Sequence, residues 1–159
     1  MLLSRLSMRL GPCKGVLVLA EFEYFPRVQE VVIPILRKHL PEDVMVTSWV
    51  PDIDHRTYPV VNVRRVGGYR DNRLPKKLDL PIIEVTAYGD ESIEDTEALY
   101  ARVLDILYEA KDKQEVVDTG HLSHVKETMG ATQFSSLFQD TWRIQGLIQV
   151  GVRPAREDS

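Results

Sequence analysis

The stretch Pro81-Ile-Ile-Glu-Val-Thr-Ala-Tyr88-Gly-Asp-Glu-Ser92 joins a strand to a long helix, and it decides the fold class. Apolar and polar residues alternate through its first half, which predicts a strand with Glu84 and Thr86 facing solvent. The predicted core-facing residues are Ile83, Val85 and Ala87. Ser92 is a favourable N-cap, and Asp95 follows three residues later as in a capping box, so a helix is predicted to begin here.

Two helices are predicted from apolar residues spaced three and four apart. After Ser92 the stripe consists of Leu99, Val103, Leu107 and Ala110. An earlier helix over residues 25–40 has the same spacing. Pro34 lies inside that helix, where the missing N–H predicts a kink that costs about 3 kcal/mol.

Strands surround the second helix. Alternating residues predict strands over 44–50, 60–66 and 81–88 before it, and over 121–128 and 142–152 after it. Runs of strands interrupted by single helices are typical of an α+β fold. The prediction is therefore a small mixed or antiparallel sheet of about five strands flanked by two helices, in the order α-β-β-β-α-β-β.

Length and composition indicate one folded domain. The chain has 159 residues, of which 43% are hydrophobic and 28% charged, and it has one cysteine, Cys13. These values exclude a disordered chain and a disulfide-stapled mini-protein. The predicted organisation is an N-terminal arm or leader over 1–24, a single domain over 25–153 and a flexible tail over 154–159. The apolar run at 16–20 is shorter than the roughly 7–15 residues of a secretory signal, so export is not predicted.

Charge is distributed unevenly along the chain, although the net charge is only −4. Between Arg64 and Lys77 six basic residues accompany one acid, and between Asp90 and Asp118 ten acids accompany three bases. The basic residues are Arg64, Arg65, Arg70, Arg73, Lys76 and Lys77. One protomer therefore combines a strongly positive segment with a strongly negative helix.

The positive segment is predicted to form a mobile loop over 67–77, and three interpretations remain open. It is a solvated hairpin loop, a contact with the acidic helix of a neighbouring subunit, or a contact with the phosphate backbone of passing DNA. The helix residues that could meet it are Glu94, Glu97 and Asp105. Tyr69 is the only aromatic residue in the segment, which argues against recognition of bases.

Candidate chemical sites are few. Asp52, Asp54 and His55 combine carboxylate and imidazole groups of the kind that bind divalent metals, but Asp residues also suit a turn, and the turn is favoured. His121 and His124 are predicted to lie on opposite faces of a strand, which prevents them from sharing an ion. Nucleophile elbows, phosphate loops and paired cysteines are missing from the sequence. Catalytic, cofactor-binding and metal-binding residues are therefore not predicted.

The order of several segments resembles that of a known family. These segments are Ile35-Leu-Arg-Lys-His-Leu-Pro41, Val46-Thr-Ser-Trp-Val-Pro51, Tyr58-Pro-Val-Val-Asn-Val-Arg-Arg-Val-Gly-Gly68, Asp79-Leu-Pro-Ile-Ile-Glu-Val-Thr-Ala-Tyr88, Gly130-Ala-Thr-Gln-Phe134 and Gln145-Gly-Leu-Ile-Gln-Val150. Together with the long helix they resemble the tail terminator proteins of bacteriophages with long, non-contractile tails, especially phages of mycobacteria and their relatives. The similarity covers about residues 25–153.

The resemblance implies a structural virion protein at the junction of tail and neck, assembled in the host cytoplasm. It implies a homo-oligomer, a hexameric ring, that caps the tail tube, stops tube polymerisation and meets the head-completion proteins. It implies neither catalysis nor a cofactor. Contact with DNA in the lumen is compatible with it, and a membrane partner is not expected.

The sequence leaves two alternatives open. One is another ring of the neck or tail, such as a head-completion protein or a tail tube protein. The tube protein is disfavoured because the sequence shows no second long pair of strands from which to build a continuous barrel. The other alternative, from a different class, is a metal-dependent hydrolase that uses Asp52, Asp54 and His55.

Overall fold

The computed structural model describes residues 9–10, 17–18 and 25–156, which form an α+β fold. In chain order the elements are β1 (Arg9–Leu10), β2 (Leu17–Val18), α1 (Val28–His39), β3 (Met45–Thr47), a 3₁₀ turn (Ile53–His55), β4 (Val60–Arg70), β5 (Asp79–Gly89), α2 (Ile93–Asp112), β6 (Val116–Val117), β7 (Gly120–Phe134) and β8 (Trp142–Pro154). The predicted fold class is confirmed. The main sheet has six strands among these residues rather than about five, because the short β6 pairs with the start of β7.

The main sheet has the strand order β3-β4-β5-β8-β7-β6. The β3–β4 pair is parallel and every other neighbouring pair is antiparallel. β4 and β5 have 11 residues each, while β7 and β8 have 15 and 13. The expectation that the chain lacks a second long strand pair is therefore wrong, since the sheet contains two long hairpins.

Both helices pack on one face of the sheet, called here the helix face. The helix residues that are buried in the core are Val28, Val31, Val32, Ile35, Leu36, Tyr100, Val103, Ile106, Leu107 and Ala110. The predicted core strand residues Ile83, Val85 and Ala87 are fully buried beneath them. The predicted N-cap is also confirmed, because Ser92 Oγ accepts a hydrogen bond from the Asp95 N–H at 3.1 Å.

Several predicted boundaries differ from the structure. Gly67 to Arg70 belong to β4 rather than to a loop, and the connection to β5 is only residues 71–78. A bulge between Arg65 and Gly67 interrupts the alternation there, which explains why the sequence pattern ends early. At the C-terminus, β8 continues to Pro154, and residues 157–159 of the predicted tail lie outside the described residues.

The predicted arm over 1–24 falls mostly outside the described residues. Within it the structure describes only the antiparallel pairing of Arg9–Leu10 with Leu17–Val18.

Pro34 lies in the middle of α1. The backbone carbonyl that loses its helical hydrogen bond because of this proline accepts one from another residue. Without an N–H at Pro34, the Glu30 carbonyl has no donor four residues along the helix. The Thr119 hydroxyl donates to that carbonyl at 2.9 Å, from the turn between β6 and β7. This bond ties α1 to the far side of the sheet and offsets part of the cost of the proline.

We expect Thr119→Val to lower the free energy of unfolding by about 1 kcal/mol, because it leaves the Glu30 carbonyl without a donor. Pro34→Ala restores a backbone N–H, so the same substitution should cost much less in a Pro34→Ala background. Urea denaturation of the four chains in this double-mutant cycle measures the difference. Equal costs in both backgrounds would contradict the assignment.

Candidate assembly surfaces

The two long hairpins have their loops at opposite ends of the sheet. The β4–β5 loop follows the Arg70–Asp79 pair, and Asp79 also pairs with Val152 near the end of β8. The β7–β8 loop lies at the other end, where Gly89 pairs with Trp142. We call residues 71–78 the basic tip and residues 134–142 the apolar tip.

The backbone of the basic tip is held by its own hydrogen bonds. Asp71 Oδ1 accepts from the N–H groups of Arg73 and Leu74, each at 2.8 Å. The Leu74 carbonyl accepts from Lys77 and Leu78, each at 2.9 Å. The turn therefore has a defined conformation although its side chains are exposed.

Three of the six predicted basic residues have partners inside the protomer. Arg64 bonds Glu84 through two nitrogens, at 2.8 and 3.1 Å, and this bond raises the pKa of Arg64 above its ordinary value. Arg65 holds Asp79 in the same way, at 2.6 and 3.2 Å, and the Asp79 side chain is only 4% exposed. The Arg70 guanidinium lies 4.5 Å from the centre of the Phe25 ring. These arginines stabilise the sheet and its border with α1.

The other three, Arg73, Lys76 and Lys77, are exposed on the basic tip. Within the part of the chain that the structure describes, their side chains form no hydrogen bond or ion pair. The predicted acidic partners Glu94, Glu97 and Asp105 are exposed on α2, and no ion pair joins them to the basic tip within the protomer. The three basic side chains of the tip and the three acids of α2 therefore remain available for contact with another molecule.

The apolar tip is a surface that the sequence analysis missed. Leu137 is 77% exposed, while Trp142 and Phe134 are 40% and 38% exposed. Phe138 holds the loop to the sheet, because its ring lies 5.2 Å from Tyr88 and the Arg56 guanidinium lies 3.7 Å from its centre. The available signal was a Leu-Phe pair in a loop that is otherwise polar. Exposed aromatic and aliphatic side chains grouped on one loop are typical of a protein interface.

The sheet face opposite the helices, called here the outer face, carries a buried polar layer. Glu84 and Thr86 were predicted to face solvent, but they are only 9% and 2% exposed. Gln145 donates to Glu84 at 3.2 Å and accepts from Thr86 at 3.4 Å and from Arg143 at 2.6 Å. The prediction was wrong because both side chains form hydrogen bonds with residues distant in sequence on the neighbouring strands. Hydrogen bonds within the layer offset the cost of burying it.

The metal candidates do not form a site in the described residues. Asp52, Asp54 and His55 are exposed around the 3₁₀ turn, where the His55 N–H donates to the Asp52 carbonyl at 2.9 Å. Within residues 9–10, 17–18 and 25–156, no group of three or more metal-binding side chains is positioned to hold an ion.

The predicted placement of the two β7 histidines is wrong. A bulge between Leu122 and His124 resets the alternation, so that Leu122 and Val125 are both buried. His121 and His124 therefore share the outer face. His121 pairs with Arg153, and burial together with that positive charge lowers the pKa of His121.

Comparison with known proteins identifies a family model and two phage proteins that match this chain. The family model described as "Phage tail termination protein" matches residues 24–159. The Gene 22 protein of Mycobacterium phage L5 is 51% identical over 132 residues, which cover 82% of this chain and 95% of that protein. The Gene 22 protein of Mycobacterium phage D29 is 50% identical over 133 residues, with the same coverage. Among the described helices, none is long and apolar enough to cross a membrane.

Arg65 and Arg73 provide a matched test of the two kinds of basic residue. Arg65→Gln leaves the buried Asp79 carboxylate without its charged partner, so the free energy of unfolding should fall by about 1–3 kcal/mol. Arg73→Gln should change it by less than about 0.5 kcal/mol, because Arg73 is exposed on the turn. Urea denaturation of both variants measures this. Similar losses in the two would show that the basic tip is also structural.

Proposed function

The chain belongs to the phage tail termination protein family, and from that premise we propose that it forms a ring that caps the finished tail tube. The ring ends tube polymerisation and joins the tail to the head-completion proteins of the neck. As a member of this family, the chain is a structural component of the phage tail and hence of the virion. The ring, its six copies and its position at the tail–neck junction belong to the proposal.

One observation supports this proposal most strongly, namely that the two ends of the sheet differ chemically. The basic tip presents Arg73, Lys76 and Lys77, whereas the apolar tip presents Phe134, Leu137 and Trp142. A terminator must bind the tube with one side and prevent another tube ring from adding to its other side. When the ring axis runs along the strands, the two tips lie on opposite sides of the ring and provide two unlike surfaces.

Ring closure requires two different surfaces on each protomer that fit one another head to tail. The basic tip and the exposed acids of α2 are such a pair, and this is the contact we favour for the basic residues. Asp105 is the nearest of the three predicted acids to the height of the basic tip. The reason is that α2 begins just after β5 ends, so Glu94 and Glu97 lie toward the apolar tip.

Contact with DNA in the lumen and a purely solvated tip are the other outcomes for Arg73, Lys76 and Lys77. We also propose that the protein works by assembly alone, without turnover, metal or cofactor. A tightly held stoichiometric metal at Asp52, Asp54 and His55, with an activity that Asp52→Ala abolishes, would contradict this.

Tail length is the direct test of the proposed function. In particles made without this chain, tube polymerisation should have no stop, and electron micrographs should show tails longer than normal. Restoring the chain in trans should return tails to a single length. Normal-length tails that fail to join heads would instead identify a head-completion protein of the neck.

Substitutions in the two tips should disrupt different junctions of the particle, one with the tail tube and the other with the head-completion proteins. Leu137→Asp changes the apolar tip, and the triple change of Arg73, Lys76 and Lys77 to Glu changes the basic tip. One variant should give overlong tails and the other should give normal-length tails without heads, unless the basic residues close the ring. In that case the triple variant should lose rings, and reversing the α2 acids to Lys should restore them. Surface ion pairs contribute only about 0–1 kcal/mol each, which is why all three residues are changed together.

A further inference from the structure

The sheet has two long edges that no described residue pairs with. β3 pairs only with Val60–Asn62 of β4, which leaves the edge of residues 63–70 open. β6 pairs only with Gly120 and His121, which leaves the edge of residues 122–134 in β7 open. β5 and β8 pair with the inner sides of these stretches, and in the described part of the chain no backbone hydrogen bond reaches their outward sides.

The outward edge of the short strand β3 is, by contrast, covered by a side chain. Its outward carbonyl at Val46 accepts a hydrogen bond from Arg37 at 2.9 Å. Charged side chains commonly cover an edge strand in this way and prevent another strand from pairing with it. Among the described residues, a comparable bond on β4 reaches only the Gly67 carbonyl, from Arg65 in the bulge at 3.1 Å.

We propose that these two open edges pair with one another between neighbouring copies, so that residues 63–70 of one protomer add to residues 122–134 of the next. The proposal rests on the proposed ring and specifies how that ring closes. Its occupant is a second copy of this chain.

Strand direction and sidedness both permit this pairing. Three antiparallel steps separate β4 from β7 across the sheet, so the two edge strands run in opposite directions. A neighbour placed by rotation about an axis along the strands therefore presents an antiparallel edge. The outer faces of the two copies stay on the same side, and the joined sheet is continuous.

The register follows from the heights of the residues in the sheet. Gly67 pairs with Ile82, and Ile82 pairs with Gln149. Gln149 pairs in turn with Lys126. Copies related by rotation keep equal heights, so Gly67 of one copy should face Lys126 of the next. Strand tilt would shift this register by two residues at a time, because each shift must keep side chains on their own face.

Charge complementarity supports the same arrangement. The acidic helix α2 packs against β7, β8 and β5, which places its exposed acids on the β7 side of the sheet. The β4 edge leads into the basic tip, where Arg73, Lys76 and Lys77 are exposed, whereas Arg64 and Arg65 are paired within the protomer. Pairing the edges brings the basic tip of one copy toward α2 of the next, where Asp105 is the predicted acid nearest in height.

Engineered disulfides test the pairing directly. The starting chain carries Cys13→Ser, and the test pair is Gly67→Cys with Lys126→Cys. A side chain at Gly67 meets nothing within 4 Å, so the substitution is tolerated. After mild oxidation of rings, or of tails that carry the variant, most chains should migrate as a covalent ladder whose longest closed product equals the ring size. A reducing agent should collapse the ladder to single chains.

Three controls make the result specific. Either cysteine alone should give no bridge, and a mixture of the two single-cysteine chains should stop at dimers, because the interface is head to tail. Gly67→Cys with Ala98→Cys, which is exposed on α2, should give no ladder. Gly67→Cys with His124→Cys or Thr128→Cys covers the two neighbouring registers, and bridging in either also supports edge pairing.

Bulges and charged side chains also keep edges unpaired in many proteins, and β7 has three register shifts against β8. Rings without a bridge in any of the three registers would overturn the edge pairing and leave the proposed function intact. Failure to find rings of this chain on tails, together with normal tail length in its absence, would overturn both.

Discussion

The antiparallel pairing of β5 with β8 is the interaction on which the rest of the structure depends. It joins residues about sixty positions apart, such as Val85 with Gly146, and it connects two hairpins that would otherwise be separate. Because each hairpin contributes its inner strand to this pair, the two loops are directed to opposite ends of the sheet. The location of the basic and apolar tips at opposite ends of the sheet is thus a consequence of topology.

The same pairing sets what each face of the sheet contains. On the helix face, Gly146 leaves room for the Tyr100 ring, whose hydroxyl donates to Glu127 at 3.3 Å. Burial raises the pKa of Tyr100 well above its ordinary value, so it remains a neutral donor. On the outer face the register places Thr86 opposite Gln145, and these two side chains belong to the buried layer of hydrogen-bonded polar residues. Such a layer specifies register, since a slip would leave buried polar groups without partners.

The sequence was sufficient for features that depend on local pattern. The α2 helix, its Ser92 cap and the core face of β5 follow from spacing within a few residues, and all are present. The features that were missed depend on contacts between distant segments. The bulge before Gly67 conceals the second half of β4, and Glu84 is buried because of its distant partner Gln145. The six basic residues were identifiable as a group, but only their partners divide them into structural and exposed residues.

That division bears on how the proposed ring would close. A count of charges along the sequence suggests an interface held by ion pairs, but Arg64 and Arg65 already hold Glu84 and Asp79 inside the protomer. The exposed remainder contributes only about 0–1 kcal/mol for each pair and weakens with salt. Backbone hydrogen bonds contribute about 1 kcal/mol each, and their main-chain donors and acceptors carry no net charge. In the proposed ring, an edge of eight residues would therefore provide more closing energy than the tip charges, which are better suited to orienting the two edges as they meet.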